Sequence, residues 1–503
     1  MKKINLFKGI KKWIWFIFVP TIIIFLIMLL SGSIEFYRNV QMGAPLEEYK
    51  AHMDKRIPAL MRRYNIPGCN IALVKDSEIA WAQSYGYADV ASGRALTVDT
   101  PMSVQSITKS ITAWGVMILL EKGLIDLDVP VSQYLNSWQF PATDYSTNQI
   151  TVRQLLSHTS GMPLGDFTNI YSPEEARPTN RDAMTKEAKL IREPGKKFSY
   201  SNVGYNILEI LIEDVTGQSF SDYIRTKILL PLGMNNSFFD IEPTVNPYPP
   251  TGYNLKSKPV PVYLYPSKGS GGLFATVTDI ALFAIAEMND NSVISQESIN
   301  QMYQLECQKI GVYGLVFNGY GFGHYIENLP NGALSVSHGG QGNGIMTHLQ
   351  IVPETKDAIV ILTNSQRSWP FIAYILRDWG DWRGFSSVGM EKIIWGHYGL
   401  SVVIGLLISA IILGIFRLSS TIYRQKRIDF RLFRVIAAII MLGILIWCIC
   451  QDYLFITSVF PVLSLWLGGA VFVYSIVLLL SGIIPLLFPN NSNKEVDLVK
   501  INS

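Results

Sequence analysis

Cysteine is scarce in this chain: there are four in 503 residues, and no two form a C-x-x-C. That excludes a zinc ribbon and a thioredoxin-type redox centre. Cys448 and Cys450 fall inside an apolar run, while Cys69 and Cys307 lie far apart in the chain. Two separate buried thiols are expected for the latter pair, with a disulfide between them as the alternative. Charge imbalance is missing as well. The 42 Lys and Arg nearly cancel the 39 Asp and Glu, leaving +3, and no long basic stripe with interleaved aromatics occurs in the middle of the chain. A nucleic-acid partner is therefore not expected. The chain also lacks a G-x-S-x-G elbow, an H-E-x-x-H, a phosphate-binding P-loop and any cluster of residues at metal-ligand spacing. This removes α/β-hydrolase, zincin and nucleotide-hydrolase readings, and no metal or cofactor is expected.

Hydrophobic residues are plentiful, at 49%, but unevenly spread. Residues 1–12 are basic, and residues 13–30 form an apolar run broken only by Pro20 and Thr21, inside an expected membrane segment 13–31. The run is long for a signal peptide, so a transmembrane anchor is expected, with a cleaved signal as the alternative. Three further runs, 393–416, 435–456 and 462–488, are each long enough to cross a bilayer. Arg417, Arg424, Lys426, Arg427, Arg431 and Arg434 lie between the first two runs, and residues 457–461 between the last two carry no Lys or Arg. Basic loops stay in the cytoplasm. Four spans then put residues 1–12 and the tail 489–503 inside the cell and residues 45–380 outside. The expected location is the cell membrane, with the lipid bilayer as a partner.

Between the apolar ends the composition is that of an ordinary globular domain. Residues 46–64 have helical spacing, and 69–74 and 79–87 read as a hairpin turning at Lys75, Asp76 and Ser77. Residues 206–215 read as a helix closed by Gly217, and the Pro- and Tyr-rich stretch 240–270 as a surface loop. Residues 333–337, 346–352 and 358–363 read as three successive strands of an antiparallel meander, followed by a helix from Trp369.

The chemistry gathers around Ser106-Ile-Thr-Lys109, an S-x-x-K at the start of a helical stretch. Positions i and i+3 share a helix face, so the Ser106 hydroxyl and the Lys109 amine would be neighbours. A desolvated lysine can take the proton of a serine nucleophile. Alone, the motif occurs by chance about once in a chain of this length. Two later stretches supply what else an acyl-enzyme needs. Tyr200-Ser-Asn202 offers a phenol that a nearby lysine cation would acidify, and an amide that can both donate and accept. Ser337-His338-Gly339-Gly340-Gln341 ends an apolar strand, where glycines let a ligand backbone approach and His338 can bond a substrate or carry part of a charge near neutrality.

S-x-x-K, Y-x-N and H-x-G in this order resemble the serine β-lactamase and penicillin-binding superfamily, in particular its class C β-lactamase-like branch. The stretches 155–162 (LLSHTSGM) and 193–202 (EPGKKFSYSN) are similar to that branch too. The resemblance covers about residues 45–380. It implies an α/β fold: an antiparallel sheet flanked by helices plus an all-helical subdomain, with the site between them. It implies Ser106 as nucleophile, Lys109 as its basic partner and Tyr200 as general base and acid. Asn202, His338, Gly339, Gly340 and Gln341 would bind the substrate, with the backbone N–H groups of Ser106 and Gln341 as oxyanion donors. His158 would be structural. Many relatives have K-T-G where this chain has His338-Gly339-Gly340, which disfavours efficient β-lactamase activity.

An extracytoplasmic domain of this branch followed by three spans resembles the colibactin-type membrane peptidases that remove an N-acyl-D-asparagine cap during export. His338-Gly-Gly-Gln341 is similar to their motif, but Gly342-Asn-Gly then departs from it, and Asn202 stands where they carry serine. The expected function is a membrane-anchored serine hydrolase working through a Ser106 acyl-enzyme, a peptidase on D-amino-acid-containing amides, with an exporter as partner in the prodrug reading. The alternatives are a carboxylesterase or transesterase on cell-envelope esters, and a penicillin-binding sensor without turnover.

Overall fold

A computed structural model describes residues 18–30, 40–385, 388–424, 431–451 and 454–484. The expected cytoplasmic residues 1–12 and 489–503, both ends of the 13–31 anchor and the end of the 462–488 span lie outside the described residues. The chain forms two compact units, Asn39–Lys392 and the combination of Met1–Arg38 with Ile393–Ser503.

The larger unit is built on an eight-stranded sheet. Its strands are β1 Gly68–Lys75, β2 Glu78–Asp89, β3 Arg94–Ala95, β4 Gly319–Tyr320, β5 Tyr325–Asn328, β6 Leu334–Gly342, β7 Ile345–Val352 and β8 Asp357–Thr363. In space they run β3-β2-β1-β8-β7-β6-β5-β4, with every neighbouring pair antiparallel. The N-terminal hairpin therefore zips onto the last strand. Asp76 and Ser77, at φ 53 and 66, make the tight left-handed turn that joins β1 to β2. Both faces of the sheet centre are covered, which is why β1 and β8 are apolar without alternation. Ala72, Val74, Leu349, Ile351, Val360 and Leu362 point into one core, and Ile71, Leu73, Ile359 and Ile361 are as deeply buried on the other side.

That other side is closed by α1 Leu46–Tyr64 and α7 Trp369–Arg383. Tyr49 stacks on Trp382 at 4.2 Å and meets Trp81 of β2 edge-on at 6.5 Å. Arg56 donates to Asp378 at 2.8 Å in a buried ion pair that joins the two helices. The first face carries α6 Val277–Met288 and the helical subdomain: α2 Thr108–Glu121, α3 Val152–Leu156, α4 Asn180–Glu187 and α5 Asn202–Thr216. Phe283 of α6 packs on Trp114 of α2 at 5.1 Å. The fold class is thus an antiparallel sheet flanked by helices with an all-helical part.

Among the described residues, three helices are long and apolar enough to cross a membrane: α8 Lys392–Arg424, whose residues from Ile393 onward belong to the smaller unit, α9 Arg431–Cys450 and α10 Leu463–Ile483. A shorter apolar helix covers Phe18–Leu30. The middle run, expected to continue to residue 456, stops as a helix at Cys450, and a separate short helix covers Phe455–Val459. Both Cys69 and Cys307 are free thiols, and Cys307 is only half-buried, so neither the disulfide nor a second fully buried thiol is present.

Candidate active site

Ser106 lies in a single tight turn, Gln105–Ile107, that runs straight into α2. Gln105 takes φ 51, a left-handed conformation that a side chain disfavours. Its surroundings hold it there. Gln105 Nε2 donates to Ser103 Oγ at 2.8 Å and Tyr263 OH at 3.3 Å, and Oε1 accepts from Tyr265 OH at 3.2 Å. Thr347 Oγ1 of β7 donates to the Val104 carbonyl at 2.8 Å. The glycines of β6 have a role the sequence did not show. A Cβ at Gly340 would collide with Thr347 Oγ1 and the Val104 carbonyl, and one at Gly342 with the Gln105 amide. They let the strand press against the serine turn. Only Gly339 has ordinary room around it.

Lys109 is completely buried in the first turn of α2. Its Nζ donates to Ser106 Oγ at 3.0 Å, Asn202 Oδ1 at 2.8 Å and the Ser270 carbonyl at 2.7 Å. None of them carries a charge, so burial dominates and holds the amine well below the usual 10.5. A neutral lysine that touches the serine oxygen can accept its proton.

Tyr200 precedes α5, whose N-cap Ser201 accepts from Gly204 N and whose first residue is Asn202. Lys109 Nζ lies 5.0 Å from the Tyr200 ring centre, and the phenol is hydrogen-bonded to Ser106. The expected acidic phenol is not found. Burial pushes Tyr200 well above the usual 10, the Tyr313 and Tyr205 phenols add to the rise, and the Ser106 bond offsets only part of it. Burial lowers Lys109 as well, which weakens it as a cation that could stabilise a phenolate. With its pKa raised, the Tyr200 phenol favours its protonated form. His158 lies behind it: fully buried, 4.4 Å from the Tyr200 ring, with Nδ1 accepting from Ser201 N at 3.2 Å. Its position is structural.

His338 also departs from expectation. It is fully buried, with rings of Tyr325, Tyr320 and Tyr200 at 5.4, 6.0 and 6.2 Å. Nδ1 donates to the Gly339 carbonyl at 2.9 Å, which leaves Nε2 to accept from Tyr320 OH at 3.1 Å. Burial holds it well below 6.5. It is a neutral imidazole with both nitrogens engaged by the protein, not a part-time cation facing the substrate. Gln341 does reach the cleft, and its Oε1 accepts from Trp369 Nε1 at 3.2 Å.

Ser106, Asn202 and Gln341 line an open cleft of ≈500 Å³. Its walls come mainly from two stretches, 163–190 and 240–270. Asp166 and Glu187 come from the first stretch and Tyr265 and Ser270 from the second. Residues 263–270 are not the surface loop expected, since Tyr263 and Ser267 are buried and the Ser270 carbonyl binds Lys109. Glu209 was missed altogether. It is buried on α5, and its Oε2 accepts from Lys268 N at 2.6 Å and Gly269 N at 2.7 Å. Asn206 Oδ1 accepts from Ser270 N at 3.2 Å. Asn202, Asn206 and Glu209 thus form one helix face that positions Lys109 and its acceptor turn. The signal was the i, i+4, i+7 spacing of polar residues inside an apolar helix.

Burial raises Glu209 from 4.5 to about 7. A carboxyl group whose folded pKa is raised contributes stability that is present below pH 4.5 and lost as pH rises through 7. Glu209→Gln keeps one carbonyl acceptor and does not ionise. Its unfolding free energy relative to the native chain should therefore improve by up to about 3 kcal/mol between pH 4 and pH 8, measured by denaturant titration at both pH values. Glu209→Ala should instead lower kcat by about tenfold or more by releasing the Ser270 turn.

A sequence profile described as Beta-lactamase matches residues 53–375. Penicillin-binding protein 4* of Bacillus subtilis is 26% identical over 359 residues, which cover 65% of this chain and 74% of that protein. The octameric penicillin-binding protein homologue from Pyrococcus abyssi is 30% identical with a TM-score of 0.56, over 65% of this chain and 77% of its own. A class C beta-lactamase, at 22% identity and a TM-score of 0.53 over 65% of this chain and 94% of its own, shares the fold. The chain belongs to the beta-lactamase family, and its class is that of the penicillin-binding and β-lactamase-like serine hydrolases. The match ends at residue 375, before the three long apolar helices.

Proposed function

We propose that this protein is a membrane-anchored serine hydrolase that cleaves D-amino-acid-containing amides through a Ser106 acyl-enzyme. The observation that carries the reading is the contact of Lys109 Nζ with Ser106 Oγ at 3.0 Å in a fully buried setting that favours the neutral amine. Lys109 takes the serine proton as Oγ attacks the substrate carbonyl carbon. The backbone N–H groups of Ser106 and Gln341, with the positive end of α2 behind Ser106, stabilise the oxyanion. The Tyr200 phenol protonates the departing amine, the C–N bond breaks, and the Lys109 ammonium reprotonates Tyr200. Water then cleaves the ester formed at Ser106 by the reverse proton route. Asn202 Oδ1 is occupied by Lys109, so its Nδ2 is the group available to a substrate carbonyl.

Among the described residues, β6 beyond Ser337 pairs with β7 on one side and with no strand on the other, so an extended substrate can lie along that edge. The cleft lining includes the carboxyl groups of Asp166 and Glu187 and no Lys or Arg, and His338 is neutral. These features favour a neutral or cationic substrate over one with a free carboxylate beside the scissile bond. An amidated D-peptide should be turned over about tenfold better than its free acid, from roughly 1.4 kcal/mol of like-charge repulsion. The same lack of a cation supports carboxylesterase activity as the second reading.

For placement in the cell, the three long apolar helices and the basic stretch between the first two support a multi-pass protein with the hydrolase domain outside and both termini in the cytoplasm.

The test is a panel with detergent-purified full-length protein, followed by mass, with Ser106→Ala as control. It contains N-acyl-D-asparagine amides, D-Ala-D-Ala peptides, their L counterparts and an activated ester. Cleavage of D amides supports the proposal. Ester turnover alone moves the protein to the esterase reading, and a stable adduct without product to a sensor.

A further inference from the structure

Residues 311–315 form an apolar, solvent-facing turn of which only Tyr313 touches the chemistry described above. Leu315 is 69% exposed and Val312 53%, and Leu305 and Tyr313 are also exposed. A soluble domain seldom leaves such a group of side chains together at one place. Two contacts give the turn a location. On one side Val316 meets the end of the larger unit: Lys392 Nζ donates to the Val316 carbonyl at 3.5 Å, and Gly389 packs so tightly on the same carbonyl that a Cβ there would collide with it. Lys392 is bonded directly to Ile393, the first residue of the smaller unit, and is the first residue of the apolar helix α8. On the other side Tyr313 faces the site, with its ring 5.8 Å from Tyr200 and 5.5 Å from Tyr325.

We infer that the turn 311–315 docks on the lipid bilayer and holds the Tyr200 side of the cleft at the membrane surface. It rests on the proposed membrane anchoring through α8. A segment touching the residue where the chain enters an apolar span is kept within reach of the lipid headgroups by the chain connection itself. The side chains suit that place. Val312 and Leu315 can enter the acyl boundary, and a tyrosine favours the interface. Lys309 and Lys392, both exposed, supply charge for anionic headgroups. The nearby carboxylate of Glu306 is neutralised by Arg153 at 2.8 Å. Substrates with an acyl tail could then reach Ser106 from the bilayer without first dissolving in water.

The test uses full-length protein in nanodiscs of phosphatidylethanolamine and phosphatidylglycerol. The photo-crosslinker benzoylphenylalanine is placed singly at Leu315, Val312 or Val90. Val90 is 51% exposed and lies between β2 and β3, at the opposite edge of the sheet. Lipid adducts, read by mass after illumination, are expected at 315 and 312 and not at 90. Equal adducts at all three sites, none at 315 and 312, or adducts there to a second protein chain would each overturn the inference while leaving membrane anchoring intact. A chain that fails to enter nanodiscs at all overturns both. Adduct formation needs no turnover, so the result is independent of which bond the enzyme cleaves.

Discussion

Ser106→Ala is expected to abolish acyl-enzyme formation and to lower hydrolysis by about 10⁴-fold or more, the range seen when a serine nucleophile is removed. In the proposed mechanism every other group in the site assists a bond that the Ser106 oxygen makes. The loss should be purely chemical. Lys109 keeps two of its three acceptors, Asn202 Oδ1 and the Ser270 carbonyl, and the Gln105 anchors do not involve the serine oxygen. The variant should therefore melt within a few degrees of the native protein. Intact-mass measurement after incubation with an activated ester or a β-lactam should show an adduct on the native chain and none on the variant. An adduct of unchanged yield on Ser106→Ala would place the nucleophile elsewhere.

Lys109→Met should cost about 10³-fold in kcat/KM or more, and Lys109→Arg nearly as much, since a guanidinium stays protonated and cannot act as a base. The arginine variant separates the two roles open to a cation beside a serine. If Lys109 served only as a positive charge, arginine would restore activity. The pH profile gives an independent reading. Activity requires the unprotonated amine, so kcat/KM rises with pH through the Lys109 pKa. Burial holds that pKa well below 10.5, which moves the rise down from the strongly alkaline range. Tyr200 must stay protonated to serve as the acid, and burial lifts it well above 10, so the fall at high pH is pushed up. The active window opens on both sides for one reason, the absence of solvent around the pair. Rates measured from acid to alkaline pH should show a plateau bounded by these limbs. A rate that falls as pH rises through neutrality would be incompatible with a neutral lysine base.

Much of this was legible in the sequence because it rests on local pattern. The apolar runs at the ends, the hairpin at Asp76 and Ser77, the meander of the last three strands and the helix closed by Gly217 follow from periodicity and turn chemistry over short windows. Ser106 and Lys109 are three residues apart, so their contact follows from helix geometry alone. Tyr200 and His338 were found through the same motifs, but their ionisation was misjudged. Sequence places a tyrosine near a lysine and a histidine near a glycine turn, yet the sign of each pKa shift depends on how much water remains. That was decided by Phe198, Tyr313, Tyr320 and Tyr325, which converge from separate segments. Glu209, the buried turn 263–270 and the close approach of Gly340 to Val104 were invisible for the same reason. Each joins residues dozens to hundreds of positions apart. The chain by itself determined which groups could do serine-hydrolase chemistry and where it is apolar enough to meet a membrane. Only the tertiary structure decided which of those groups are charged, because charge in a protein interior is set by desolvation, and desolvation belongs to the packed whole.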